Sequence, residues 1–186
     1  MAVARKGLTL EEFLELPDEE PELEYVDGVV TPKVSPKGRH GILQAELVER
    51  INRSARPSKL ARAIPELRVT FGGASFVPDV AVYRWQRIPI DPDGWVANDF
   101  LVPPDIAIEI ASPEQSVNAL VRRCLWYVAN GVDLALLVDP PDESVLAFRP
   151  DRQPNVWRGR DRIDLDEAVP DFELTVEQLF ASLRQD

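Results

Sequence analysis

The chain has 186 residues, 45% of them hydrophobic and 28% charged. That suits one compact domain with a real core and leaves too little length for two. Lys and Arg number 21 against 32 Asp and Glu, a formal net charge of −11, which counts against coating of nucleic acid by general electrostatics but does not exclude a nuclease with a local basic groove or a bound cation. The single cysteine, Cys124, cannot form an internal disulfide, and no apolar run approaches the roughly 20 residues that span a bilayer, so a cytoplasmic protein without membrane contact is expected.

The first predicted element is a short helix. Thr9-Leu10-Glu11-Glu12 has the spacing of a capping box, Phe13 and Leu14 give an apolar side, and Pro17 ends it. Glu24-Tyr25-Val26-Asp27-Gly28-Val29-Val30 reads as a hairpin about an Asp-Gly turn, with Glu24 patterned as a solvated strand residue. Over residues 41–55, Ile42, Leu43, Leu47, Val48 and Ile51 recur on one helical face. His40, the only histidine, stands just before that helix, a place where capping or packing is the common role.

Residues 65–70 and 75–83 read as paired strands around Gly72-Gly73-Ala74, a hairpin that delivers Pro78-Asp79 into a sheet. Proline has no donor for the ladder, so Pro78 belongs at an edge, a strand start or a bulge; Asp79 either accompanies that irregularity or holds a metal. Residues 84–104, with Trp85, Trp95 and the turn Asp91-Pro92-Asp93-Gly94, form a long irregular connection. Residues 106–110 are apolar on both sides of the pleat except at Glu109, the pattern of a central strand covered on both faces. A helix from Ser112-Pro113 to about Asn130, stopped by Gly131, and an apolar strand over 133–139 give a unit with the length of a right-handed crossover between parallel strands. A strand over 144–149, a short one near Val156-Trp157 and a closing helix from the capping box at Thr175 to Leu183 complete the chain. The expected class is α/β (α+β), a single domain with a mixed β-sheet flanked by helices.

Asp79 and Glu109 are the two anomalies in this pattern. An ionised carboxylate among Val and Ile is costly unless a positive charge or several donors meet it. Two of them on neighbouring strands repel each other, and a divalent cation relieves both problems.

Pro78-Asp79 after a hairpin, followed by Glu109 in a second strand, resembles the PD-(D/E)XK, or restriction-endonuclease-like, superfamily. Within it the chain is similar end to end to the Uma-type family of bacterial restriction endonucleases, through Leu10 to Leu14, Glu24 to Gly28, His40, Val77 to Val80, Glu109 to Pro113, Tyr127 with Gly131-Val132, and Val138 to Pro140. The resemblance implies a nuclease that uses Mg²⁺ or Mn²⁺ and acts on nucleic acid, with DNA expected, as a homodimer. It implies Asp79 and Glu109 as metal ligands together with the Ile110 carbonyl, Glu24 near the metal through water, and His40 at the substrate. The family pattern departs at its lysine: the position two after Glu109 is Ala111, and the alternative position on the following helix is Arg123, with Arg122 beside it. Arginine keeps the charge and can grip a phosphate, but it does not give up a proton near neutral pH. A second reading therefore stands beside the first, in which the fold has lost catalysis and serves as a binding or assembly module.

Overall fold

The computed structural model describes residues 5–17, 19–113 and 115–185. In chain order its elements are β1 (Arg5–Lys6), α1 (Leu10–Leu14), β2 (Leu23–Val26), β3 (Val29–Pro32), α2 (Gly38–Ala55), β4 (Ala61–Pro65), β5 (Val69–Phe71), β6 (Ala74–Phe76), β7 (Val80–Arg84), β8 (Ile106–Ile110), α3 (Val117–Ala129), β9 (Leu134–Asp139), β10 (Ser144–Phe148), β11 (Asn155–Arg158) and α4 (Val176–Ala181). The strands form two sheets, one ordered β1-β3-β2-β6-β5 and the other β11-β10-β9-β8-β7-β4. β8 and β9 are parallel and joined by α3, as the crossover reading expects.

Strand alternation sorts the larger sheet into two faces. Val80, Val82, Ile106, Ile108, Ile110, Leu134 and Leu136 point to one side, where Leu43, Leu47 and Ile51 of α2 and Leu179 and Phe180 of α4 cover them. Ala81, Tyr83, Ala107, Ala135 and Leu137 point to the other, against Leu120, Cys124 and Tyr127 of α3 and Phe71 and Phe76 of the smaller sheet. Glu109 falls on this second face, between Ala107 and Ala111. The antiparallel register Val80↔Ile108 sets Asp79 across from it.

Four boundaries differ from the sequence reading. Residues 75–83 are not one strand: β6 lies in the smaller sheet and β7 in the larger, and Val77-Pro78-Asp79 carries the chain between them. Pro78 has no N–H to offer a ladder, which is why neither sheet extends across it. β4, absent from the sequence reading, pairs with β7 from Pro65↔Val80 to Ala61↔Arg84, so Pro65 ends one strand instead of starting the next. α2 begins at Gly38 without a side-chain cap and takes His40 into its first turn, whereas α3 starts only at Val117 after the turn in which Gln115 N–H donates to the Ser112 carbonyl. The Gly72-Gly73 turn stands as read, with φ of +58° and +81°, the left-handed region that a two-residue hairpin turn needs.

The long connection after β7 is tied down by another buried carboxylate. Asp105 accepts from the Arg84 N–H at 2.8 Å and from the guanidinium groups of Arg84 and Arg87, while Tyr83 O–H donates to the Val102 carbonyl at 2.9 Å. Among the described residues, no helix is long and apolar enough to cross a membrane. Packing at the sheet centre sets the stability. Leu136→Ala, which empties a fully buried position, is expected to cost about 2–5 kcal/mol in urea unfolding. Leu101→Ala, at a residue 61% exposed, should change it by less than about 0.5 kcal/mol.

Candidate active site

Asp79 sits where the chain passes from the smaller sheet to the larger, and its carboxylate is almost fully engaged by protein groups. Oδ2 accepts the Ile110 N–H at 2.6 Å, and Oδ1 accepts from Lys33 Nζ at 2.8 Å. His40 Nε2, from the first turn of α2, lies 3.0 Å from Oδ2. That nitrogen is buried and makes no aligned hydrogen bond, while Nδ1 is 3.3 Å from Ser112 Oγ. The backbone of Asp79 is held as well, its carbonyl accepting from Gln44 Nε2 at 2.7 Å and from the Glu66 N–H at 3.3 Å.

Glu109 comes from the central strand and faces α3. Its Oε1 accepts Tyr127 O–H at 2.7 Å, and its Oε2 lies 3.5 Å from Arg123 Nη1. Arg123 makes its closer bonds to Glu24, at 2.5 and 3.0 Å, and its guanidinium lies 5.1 Å above the Phe76 ring. Glu24 Oε1 also accepts the Val77 N–H at 3.1 Å. One arginine on α3 thus joins a carboxylate of the smaller sheet to one of the larger.

Lys33, just beyond β3, is the other cation. Its ammonium donates to the Val77 carbonyl at 2.6 Å and to Asp79 at 2.8 Å, and it pairs with Glu66 Oε2 at 2.9 Å. Burial works against its charge, yet Asp79, Glu109 and Glu66 outweigh that and hold its pKa above the ordinary lysine value. Burial also opposes ionisation of Asp79, but His40 and Lys33 keep that carboxyl below the usual range. Glu109 goes the other way: burial, helped by the neighbouring Asp79 and Glu24, raises it to about 7 against the pull of Arg123 and Lys33. Burial, with Glu109 adjacent, likewise drives the Tyr127 hydroxyl well above its ordinary value, so it remains a donor.

The chemistry of this cluster follows from its charge. Glu24, Glu66, Asp79 and Glu109 face Lys33 and Arg123, so with all four acids ionised and His40 left out of the count two negative charges are in excess. Oxygen donors with that excess fit a divalent cation such as Mg²⁺, which takes oxygen ligands. Among the described residues, no three His, Cys, Asp or Glu side chains are already drawn together as a ligand set; Lys33, Tyr127 and Arg123 take up the carboxylate oxygens instead.

The fold brings Glu24, Asp79, Glu109, Ile110 and Arg123 together from four separate stretches of chain. Glu24 is 3% exposed, not a solvated strand residue. Ile110 meets Asp79 through its N–H, and His40, 4% exposed, backs Asp79 from the core side. Arg122 is not brought to the carboxylates: it is exposed on α3, and among the described residues its side chain has no hydrogen bond or ion pair. Sequence reasoning missed Lys33, Gln44 and Glu66 and used Tyr127 only as a landmark. The i, i+4 spacing of Arg123 and Tyr127 was a usable signal, since it puts both on one helix face. Lys33 gave none, being 46 residues from Asp79 on an ordinary hairpin.

Residues 10–177 match the Uma2 family, whose description is "Putative restriction endonuclease". The chain belongs to the Uma2 family. The same fold is found in the crystal structure of a protein described as a putative nuclease belonging to DUF820, from Anabaena variabilis ATCC 29413. It is 37% identical in sequence, with a TM-score of 0.92 over 96% of this chain and 100% of that one. This similarity agrees with a restriction-endonuclease-like fold of sheets flanked by helices. No curated relative matches the chain.

Glu109 makes a prediction about pH. Its folded pKa of about 7 lies above the ordinary 4.5, so the folded protein keeps a proton that the unfolded chain has lost between those values. Its contribution to stability is therefore complete below about 4.5 and is lost as pH rises to about 7. Asp79, whose pKa is lowered, acts below its ordinary 3.8 and does not intrude on this window. Glu109→Gln should gain stability relative to the wild type as pH rises through the window and stay level above it. Melting temperatures of the two proteins across about pH 5–8 check this, and a gap that does not change with pH contradicts it.

Proposed function

We propose that the chain is a metal-dependent nuclease that hydrolyses phosphodiester bonds of nucleic acid, DNA being the expected substrate. The observation that carries this reading is the pair Asp79 and Glu109, 2% exposed each, in a cluster where four acids face two cations. Membership of the Uma2 family supports it.

On this reading Asp79 and Glu109, with the Ile110 carbonyl, would hold a Mg²⁺ or Mn²⁺ ion. When bound, such an ion supplies an activated water and neutralises charge on the phosphorus oxygens. The protein's own groups position the acids. The Ile110 N–H and His40 fix Asp79, and the Tyr127 hydroxyl fixes Glu109 by donating to Oε1. Arg123 keeps positive charge beside Glu109 while Glu24 holds its guanidinium in place. Arg123 serves as a fixed charge and not as a proton donor or acceptor. Assembly as a homodimer that cuts two strands is part of the proposal.

The second reading, a binding or assembly module without catalysis, is favoured by one observation: Arg123 is committed to Glu24, and Ala111 stands two residues after Glu109. Cleavage assays on supercoiled and linear DNA with Mg²⁺ or Mn²⁺ separate the two. The nuclease reading expects divalent-dependent cleavage that falls at least about 100-fold in folded Asp79→Ala and Glu109→Ala. Cleavage that survives both substitutions, or no cleavage by the wild type over a broad set of DNA and RNA substrates, supports the binding module.

A further inference from the structure

The two cations of the site are not equivalent. Arg123 is clamped by two bonds to Glu24 and stacked on Phe76, so its planar group has little freedom to leave. Lys33 is a compact ammonium on a flexible stem, with its backbone N–H donating to the Glu22 carbonyl at 2.7 Å. Its three polar contacts, the Val77 carbonyl at 2.6 Å, Asp79 Oδ1 at 2.8 Å and Glu66 Oε2 at 2.9 Å, are all to oxygen. The first two are hydrogen bonds and the third an ion pair, and two of the three partners are carboxylates. This is the environment that a bound inorganic cation would ask for, filled by a side chain of the protein.

The position of Glu66 gives Lys33 somewhere to go. Asp79 is buried to 3% side-chain exposure, whereas the Glu66 side chain is 36% exposed. An ammonium that lets go of Asp79 can keep Glu66 and turn toward solvent, without becoming an unpaired buried charge. The Ile110 N–H still donates to Oδ2 at 2.6 Å and His40 Nε2 lies 3.0 Å from it, so the carboxylate keeps both neighbours when Lys33 moves.

We propose that Lys33 is a tethered counter-cation that occupies Asp79 in the metal-free protein and must yield Oδ1 to a divalent ion. The inference rests on the metal-dependent reading above and adds a regulation to it. Divalent affinity is set by a competition inside the chain, and the released ammonium becomes a positive group at the rim of the site. Without this lysine the acids would repel one another in the metal-free protein; with it, loading requires enough free metal to displace an internal rival.

Two measurements on the full chain test this, and neither uses nuclease activity. The first is calorimetric titration of the wild type, Lys33→Met and, as a polar alternative should the Met variant fold poorly, Lys33→Gln with Mn²⁺. The expected result is binding at least about tenfold tighter in the variants, since an opposing unit charge has been removed from Asp79. Binding in the variant with none detectable in the wild type also supports the proposal. Equal or weaker binding in folded variants overturns it and leaves the metal site standing, whereas absence of binding in wild type and variants overturns both. The second follows the Lys33 ammonium by ¹⁵N-resolved NMR during titration with diamagnetic Mg²⁺, the signal being assigned by its loss in Lys33→Met. Disappearance or a large shift of that signal in step with saturation is expected. A signal that stays unchanged at saturating Mg²⁺ shows that Lys33 keeps Asp79, and the proposal then fails even if the affinity differs through space.

Discussion

Carboxylates buried near one another have to be neutralised from within, and that constraint organises this molecule. Glu24, Asp79 and Glu109 are each 2–3% exposed. Glu24 belongs to the smaller sheet, Glu109 to the larger, and Asp79 to the passage between them. Arg123 and Lys33 reach into that junction from α3 and from the end of β3. The cations therefore satisfy buried charge and at the same time join the sheets, alongside the apolar contacts of Phe71 and Phe76 with α3. Removing either cation would leave a carboxylate in an apolar setting without its partner, the costly way to break a buried ion pair.

Such networks add little net stability compared with apolar packing of the same volume. The protein has the alternative close at hand, because the opposite face of the same strands is covered by Leu, Ile and Val throughout. Concentrating the acids at the junction of the two sheets is what a chemical site would require and what a core would avoid. The contrast with Asp105 makes the point. That fourth buried carboxylate is matched by two arginines and a backbone N–H, and it secures a loop. The acids around Asp79 exceed the lysine and arginine that face them.

Much of this was legible in the sequence because apolar strands leave so little room for a charge. Glu109 between Ile108 and Ile110, and Asp79 beside a proline, were conspicuous as single residues, and the Gly-stopped helix between two apolar runs specified the parallel crossover. What escaped was long-range. Whether residues 75–83 stay in one sheet depends on where their neighbours lie, and only the paired β4, a short Ala-rich strand with no strong signal of its own, shows that β7 joined a different sheet from β6. The start of α2 was misplaced because no side chain caps it, which moved His40 from a loop into a helix turn. Lys33 was invisible for the same reason: a lysine after a hairpin reads as solvated until the fold folds Asp79 against it. Arg122 was linked to the site by adjacency in sequence, but neighbouring helical residues point about 100° apart, and only Arg123 faces the acids.

The central claim is that the Asp79 and Glu109 carboxylates form one divalent-cation site at the junction of the sheets. The most direct measurement is a crystal structure of the protein grown or soaked with Mn²⁺, with the ion located by its anomalous scattering. The account predicts an anomalous peak within coordination distance of both Asp79 and Glu109. An ordered structure at saturating Mn²⁺ with no peak there, or with the peak on other residues, contradicts it.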